Sequence, residues 1–211
     1  IKYCYAGALN IIGRYITISQ LMEMVERDRD FYENSSGGIT FSGGEPTMQT
    51  AFLKAACKEA KNRGLHTAIE TCAHTGWKNF ESILEYVDLI LTDIKHMDSA
   101  QHKRLTGMPN KLILENQKKI SQSGKAIRIR VPLIPGYNDS EENIRATAAF
   151  ASAMKNLQGL DILPYHRLGE PKWQQLNQEY KLHEIEPPPK ENIDKIADIV
   201  REYNIEVSIG G

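Results

Sequence analysis

Apolar residues recur along this chain with two alternating periods, and the alternation predicts its architecture. Short β-rich runs occur at Gly38–Ser42 (GITFS), His66–Thr71 (HTAIET), Val87–Ile94 (VDLILTDI), Ala126–Leu133 (AIRIRVPL), Gly159–Tyr165 (GLDILPY) and Ile205–Ile209. Ala126–Leu133 alternates cleanly, the period of two that a strand imposes. Segments with helical spacing lie between the runs. They are Thr47–Asn62, with Phe52, Leu53, Ala56 and Cys57 on one face, then Asn79–Tyr86 and Leu112–Gln122, a helix from the Ser140 cap to about Lys155, and Glu191–Tyr203. Three prolines at 187–189 predict a rigid, non-helical connector. Six βα-type repeats imply an α/β fold with a parallel sheet, open or closed into a barrel. A further helix, Ile16–Phe31, precedes the first visible strand, where this architecture would place a strand before it. With Ile1 in place of an initiating Met, this leads to the expectation of a piece of a longer protein, short of its first strand.

Composition narrows the function classes. At 211 residues the chain has the size of one large domain, and no break in composition marks a second. Its 26 Lys+Arg against 27 Asp+Glu leave a formal charge of −1, which argues against a nucleic-acid partner, since that needs a clustered positive excess. No apolar run reaches the roughly 20 residues of a membrane span, and no basic-then-apolar signal opens the chain. Cys4, Cys57 and Cys72 are scattered and odd in number, which points to reduced thiols in a cytoplasmic setting. They cannot supply three or four clustered thiolates to a metal.

In parallel α/β folds, functional residues gather at the carboxyl ends of strands. Here those ends read Ser42-Gly43-Gly44-Glu45-Pro46, Glu70-Thr71-Cys72, Thr92-Asp93-Ile94-Lys95, Arg128-Ile129-Arg130-Val131-Pro132 and Pro164-Tyr165-His166. Five polar ends in succession predict a ring around one opening, although solvated strand termini are often polar anyway. The Gly43-Gly44 pair lets backbone approach a ligand, and the Glu45 carboxylate beside it can accept from an ammonium group. Asp93 and Lys95, two apart, share a side of the strand, either as an ion pair or with the Lys engaging a ligand carboxylate. His166 is either structural or part of the site. Ammonium and carboxylate groups together point to an amino-acid-like cofactor.

SGGEP at 42–46, DIK at 93–95, RVPLIPGYND at 130–139 and LPYHRLGEPKW at 163–173 closely resemble the activating enzymes of glycyl radical enzymes, such as the pyruvate formate-lyase activating enzyme. The resemblance implies a partial (β/α) barrel of the radical SAM type at 17–211. It implies S-adenosylmethionine (SAM) bound on a [4Fe-4S] cluster and cleaved to a 5′-deoxyadenosyl radical, which takes hydrogen from a glycine of a partner enzyme. It implies flavodoxin or ferredoxin as electron donor. By position, Gly43, Gly44, Glu45, Asp93, Ile94, Lys95, Arg130 and His166 would form the SAM site, with His166 near the adenosine. Glu70, Thr71 and Asp93 match a monovalent cation site of some members, although Glu stands for Asp, and Ala73 stands where Gly is common. KYCYAGAL resembles the end of a ferredoxin-like insert, which would make residues 1–16 its remnant and Cys4 a ligand of an auxiliary cluster. The family's CxxxCxxC loop is not found in this chain, so the expectation is a fragment without the catalytic cluster and inactive alone. A non-catalytic α/β module binding SAM or a nucleotide is the alternative. LPYHRLGEPKW argues against a peptide-modifying radical SAM class.

Overall fold

The computed structural model describes residues 13–210. Six strands, β1 (Gly38–Phe41), β2 (His66–Thr71), β3 (Leu89–Asp93), β4 (Ala126–Leu133), β5 (Leu157–Pro164) and β6 (Val207–Ile209), form one sheet. Every pairing is parallel and the spatial order is the chain order. Among the described residues β1 and β6 each have one strand neighbour, so the sheet is open. The helices are α1 (Ile18–Val25), α2 (Arg29–Ser35), α3 (Thr50–Asn62), α4 (Trp77–Leu84), α5 (Ser99–Thr106), α6 (Lys111–Gln122), α7 (Glu141–Ser152), α8 (Glu170–Gln175) and α9 (Lys190–Arg201).

The register sorts the strand residues onto two faces, because paired positions in a parallel sheet point the same way. Ile69, Ile90, Ile127, Ile129, Val131, Leu160 and Ile162 share one face and are buried with Leu53 and Cys57 of α3, Phe80 of α4, Ile120 of α6 and Ile144 of α7. The helices therefore cover one side of the sheet, the layout of a barrel wall and not of a doubly wound fold. The other face carries Glu70, Leu91, Asp93, Arg128, Arg130 and Asp161. No residue of that row belongs to the main core cluster. Gly159 makes this row possible: a Cβ there would sit 2.8 Å from the Arg128 guanidinium and 2.9 Å from the Glu206 carbonyl.

Several boundaries shift for local reasons. Ile16–Phe31 is two helices. Thr17 closes a capping box with Gln20 (3.2 and 3.0 Å), so α1 begins at Ile18. The polar run Glu26–Asp28 then tightens into a 3₁₀ turn before α2. Residues 46–49 form another 3₁₀ turn ahead of α3. The helix placed at Asn79–Tyr86 is Trp77–Leu84, and the strand placed at Val87 starts at Leu89. Ser140 caps α7 as expected, accepting from the Asn143 amide at 3.3 Å. Two helices carry no apolar stripe and escape a periodicity reading. In α5 the buried residue is His102, and in α8 none is buried. The Cys4 ligand assignment and most of the 1–16 insert remnant lie outside the described residues.

Candidate functional site

The first strand end is built around Glu45. Gly43 has φ +129°, a backbone conformation that favours glycine, and an added Cβ at Gly43 or Gly44 would meet nothing within 4 Å. Space above this backbone is therefore open for a ligand, not filled by the protein. The Glu45 carboxylate is already engaged. One oxygen accepts from the Thr47 amide (3.0 Å), the Thr47 hydroxyl (2.6 Å) and the Thr71 hydroxyl (2.8 Å), and the other from the Cys72 amide (2.8 Å). The carboxylate thus ties the GGEP turn to the end of β2. Burial raises its pKa, but hydrogen bonds from Cys72, Thr47 and Thr71 outweigh that and hold it below the ordinary glutamate value.

This has a testable sign. A carboxyl whose pKa is lower folded than unfolded adds stability above its unfolded pKa and loses it as pH falls through the folded pKa. Glu45→Gln is therefore expected to lower stability by about 1–3 kcal/mol near neutral pH, the range for a hydrogen-bonded charged group. The deficit should shrink below pH 4.5, which thermal melts across pH 3–7 would show.

Cys72 lies at the β2 end beside this carboxylate. Burial, then its hydrogen bond to Glu45, pushes its thiol above the ordinary cysteine pKa, so it stays a neutral thiol. Cys57 is core, as expected, and burial pushes its thiol up to about 12. Ala73 adopts φ +58° and is fully buried, a left-handed conformation that glycine adopts at no steric cost.

Asp93 ends β3 and Lys95 follows it. Their side chains meet at 2.6 Å on one side of the chain, as their spacing predicts. Lys95 stands between two cavities. The larger, about 800 Å³, is walled by Arg104, Pro132, Ile134, Tyr137, Trp173 and Tyr180 among others. The smaller, about 210 Å³, is lined by Cys72, His74, Asp93, His102 and Met108, among others. Lys95 and Thr106 line both. Strand ends two, three and four thus converge, whereas Gly43, Gly44, Glu45, Ile94, Arg130 and His166 line neither cavity. His166 is exposed, and its Nδ1 accepts from the Leu168 amide at 3.3 Å. Ile94 is buried in the helix-side core and offers its backbone, not its side chain.

Arg130 is paired with Glu70 across β3, and the Ser42 hydroxyl donates to Glu70 at 2.9 Å. The side chains of the expected cation site, Glu70, Thr71 and Asp93, divide between the two faces of the sheet. Glu70 and Asp93 face the open side of the sheet, but Thr71, adjacent to Glu70, points the other way and bonds Glu45. Glu70 and Asp93 are each committed to a basic side chain. Among the described residues no group of three His, Cys, Asp or Glu side chains could hold a metal ion. Nor do Cys57 and Cys72, on different elements, suit a [4Fe-4S] cluster, which takes clustered thiolates.

Sequence reasoning missed Arg104, Tyr137, Trp173 and Tyr180. Trp173 falls in a quoted motif, but nothing in the spacing showed that 173–182 folds back over the β4 end. The Tyr165 hydroxyl anchors that segment, bonding the Tyr180 hydroxyl at 2.8 Å and the Leu182 carbonyl at 3.0 Å. Among the described residues no helix is long and apolar enough to cross a membrane.

Comparison with known proteins agrees with this layout. The family model described as the Radical SAM superfamily matches residues 2–148. The choline trimethylamine-lyase activating enzyme of Oleidesulfovibrio alaskensis is 40% identical over 210 residues, covering 97% of this chain and 67% of that protein. The isethionate sulfite-lyase activating enzyme of the same organism is 41% identical over 184 residues, covering 86% of this chain and 59% of that protein. The trans-4-hydroxy-L-proline dehydratase activating enzyme of Clostridioides difficile is 36% identical, covering 97% of this chain and 68% of that protein. The chain thus spans about two thirds of the length of these relatives. Among solved structures, a domain of a pyruvate-formate lyase-activating enzyme from Bacteroides vulgatus superposes with a TM-score of 0.71 at 30% identity, covering 83% of this chain and 99% of that one. Streptococcus suis SuiB, at 18% identity and a TM-score of 0.66 over 96% of this chain and 43% of that one, shares the fold. The chain belongs to the radical SAM superfamily and, within it, to the family of glycyl radical enzyme activating enzymes.

Proposed function

We propose that this chain provides the SAM-binding strand ends of an activating enzyme that installs a glycyl radical on a partner enzyme. The observation that carries the reading is the Asp93–Lys95 pair, whose lysine lines both of two neighbouring cavities and whose aspartate lines the smaller, in a chain of this family. SAM has an ammonium and a carboxylate at one end and an adenosine at the other. Lys95 suits the carboxylate, and the open backbone at Gly43-Gly44 can approach the amino-acid end. Arg130, held by Glu70, presents a fixed guanidinium on the same sheet face, and His166 sits at the β5 end, where the family resemblance puts the adenosine. When bound on a reduced [4Fe-4S] cluster, SAM supplies hydrogen-abstracting radical chemistry. The residues described here bind and orient, and the cluster's ligands are not among them.

The proposed partner is a glycyl radical enzyme, with pyruvate formate-lyase and the enzymes named for the relatives as candidates, and a flavodoxin or ferredoxin as electron donor. The direct test is iron–sulfur reconstitution of the intact protein, reduction with SAM, and electron paramagnetic resonance with each candidate. A glycyl radical signal with one partner is expected. SAM cleavage without a signal from any partner would overturn the assignment to glycyl radical activation.

A further inference from the structure

Asp93 is the last residue of β3, and once the Ile94 amide has donated to the Arg130 carbonyl (2.9 Å), residues 95–97 run without a strand ladder before α5 begins. Their backbone polar groups still need partners. Buried carboxamides from three other segments supply them. Gln117 of α6 donates to the Asp93 carbonyl (3.1 Å) and the Thr92 hydroxyl (3.0 Å). Asn138 donates to the Lys95 carbonyl (2.9 Å) and the Pro132 carbonyl (2.7 Å), and accepts from the Ile134 amide (2.8 Å). Asn110 donates to the carbonyls of His96 (3.0 Å) and Met97 (2.7 Å). Asn143 accepts from the Met97 amide (2.9 Å) and donates to the Asn138 carbonyl (2.7 Å). All four side chains are at least 96% buried. Their orientation is determined, because a backbone carbonyl only accepts and a backbone amide only donates.

We propose that these carboxamides form a positioning frame for Asp93 and Lys95, with Asn138 as its central member. Asn138 is the residue that joins the loop after β4 to the Lys95 backbone. This gives a role to the RVPLIPGYND stretch, whose apolar half builds β4 while its asparagine holds the neighbouring strand end. A lysine has four rotatable side-chain bonds, so a charge delivered to a ligand depends on a fixed backbone origin. That Lys95 binds a ligand rests on the SAM reading, but the frame itself does not, and its test uses no SAM.

The test compares amine acylation of Lys95 and Lys61 by mass spectrometry. Lys61 is a matched reference: its amine pairs with Asp88 at 2.8 Å with 38% of its side chain exposed, against 2.6 Å and 37% for Lys95. In Asn138→Leu, similar in size and uncharged, the Lys95-to-Lys61 labelling ratio should rise about fivefold, the factor one lost hydrogen bond carries. General loosening would raise both and leave the ratio unchanged, and that result in a folded variant would overturn the frame. The wild-type chain provides a second measurement should the variant not fold. The Asn138 side-chain NH₂ should exchange with solvent far more slowly than that of exposed Asn177, and equal rates would also overturn the proposal.

Discussion

Asp161→Ala should destabilise the chain by about 3 kcal/mol, lowering its melting temperature by roughly 6–12 °C at this size. Asp161 is 5% exposed on the sheet face that no helix covers. Its carboxylate accepts from Arg128 Nε at 2.6 Å and from the Ser208 hydroxyl at 2.5 Å, so it ties β4 to β5 and β5 to β6. Removing it leaves the Arg128 guanidinium, which is 19% exposed, with the Gln158 carbonyl at 3.0 Å and, among the described residues, no carboxylate closer than Glu206 at 3.8 Å. That remote carboxylate and the partial exposure place the expected loss at the lower end of the range for broken buried pairs. Replacing both partners, as Arg128→Met with Asp161→Leu, should cost clearly less than the sum of the single changes, because no charge is then left unpaired. A double-mutant cycle by chemical denaturation measures this difference directly. Additive losses would show that the pair does not hold the strands together.

Lys95→Met should weaken SAM binding by about tenfold to a hundredfold, the range for losing a hydrogen bond between charged groups. The side chain is 37% exposed, so water screens part of its charge and argues against a larger loss. The change also leaves the Asp93 carboxylate without its 2.6 Å partner, facing the region where a ligand carboxylate would lie. Asp93→Asn together with Lys95→Met should therefore recover part of the affinity lost in Lys95→Met alone. Calorimetry on the reconstituted intact protein separates the two contributions.

Why some of this was legible in the sequence and some was not follows from what each feature depends on. The six strands were visible because a helix-covered strand face must be apolar, as in the Ile127, Ile129, Val131 and Leu133 row of β4. The strand-end motifs were visible because they are short and local. Helix α5 was not, since its sequence SAQHKRLT depends on the Asp98 cap, which accepts from the Gln101 amide at 2.7 Å, and on one buried histidine. Neither leaves a hydrophobic period. The work of Glu45 was also hidden, because its partners Thr71 and Cys72 lie 26 and 27 residues away in the chain. The split of the Glu70 and Thr71 side chains had a readable element. Glu70 and Thr71 are neighbours on a strand, so their side chains could not have met on one face. The Glu70–Arg130 pair crosses from β2 to β4 and needed the strand order.

The central claim is that these strand ends form a SAM site, and nuclear magnetic resonance of the ¹⁵N-labelled chain titrated with SAM tests it most directly, because weak binding still shifts resonances. Progressive shifts are expected at Gly43, Gly44, Asp93, Lys95 and His166, with those at Gly43, Gly44 and Asp93 needing about tenfold to a hundredfold more SAM in Lys95→Met. Shifts confined to other surfaces, or none at these five positions at millimolar SAM, would contradict it.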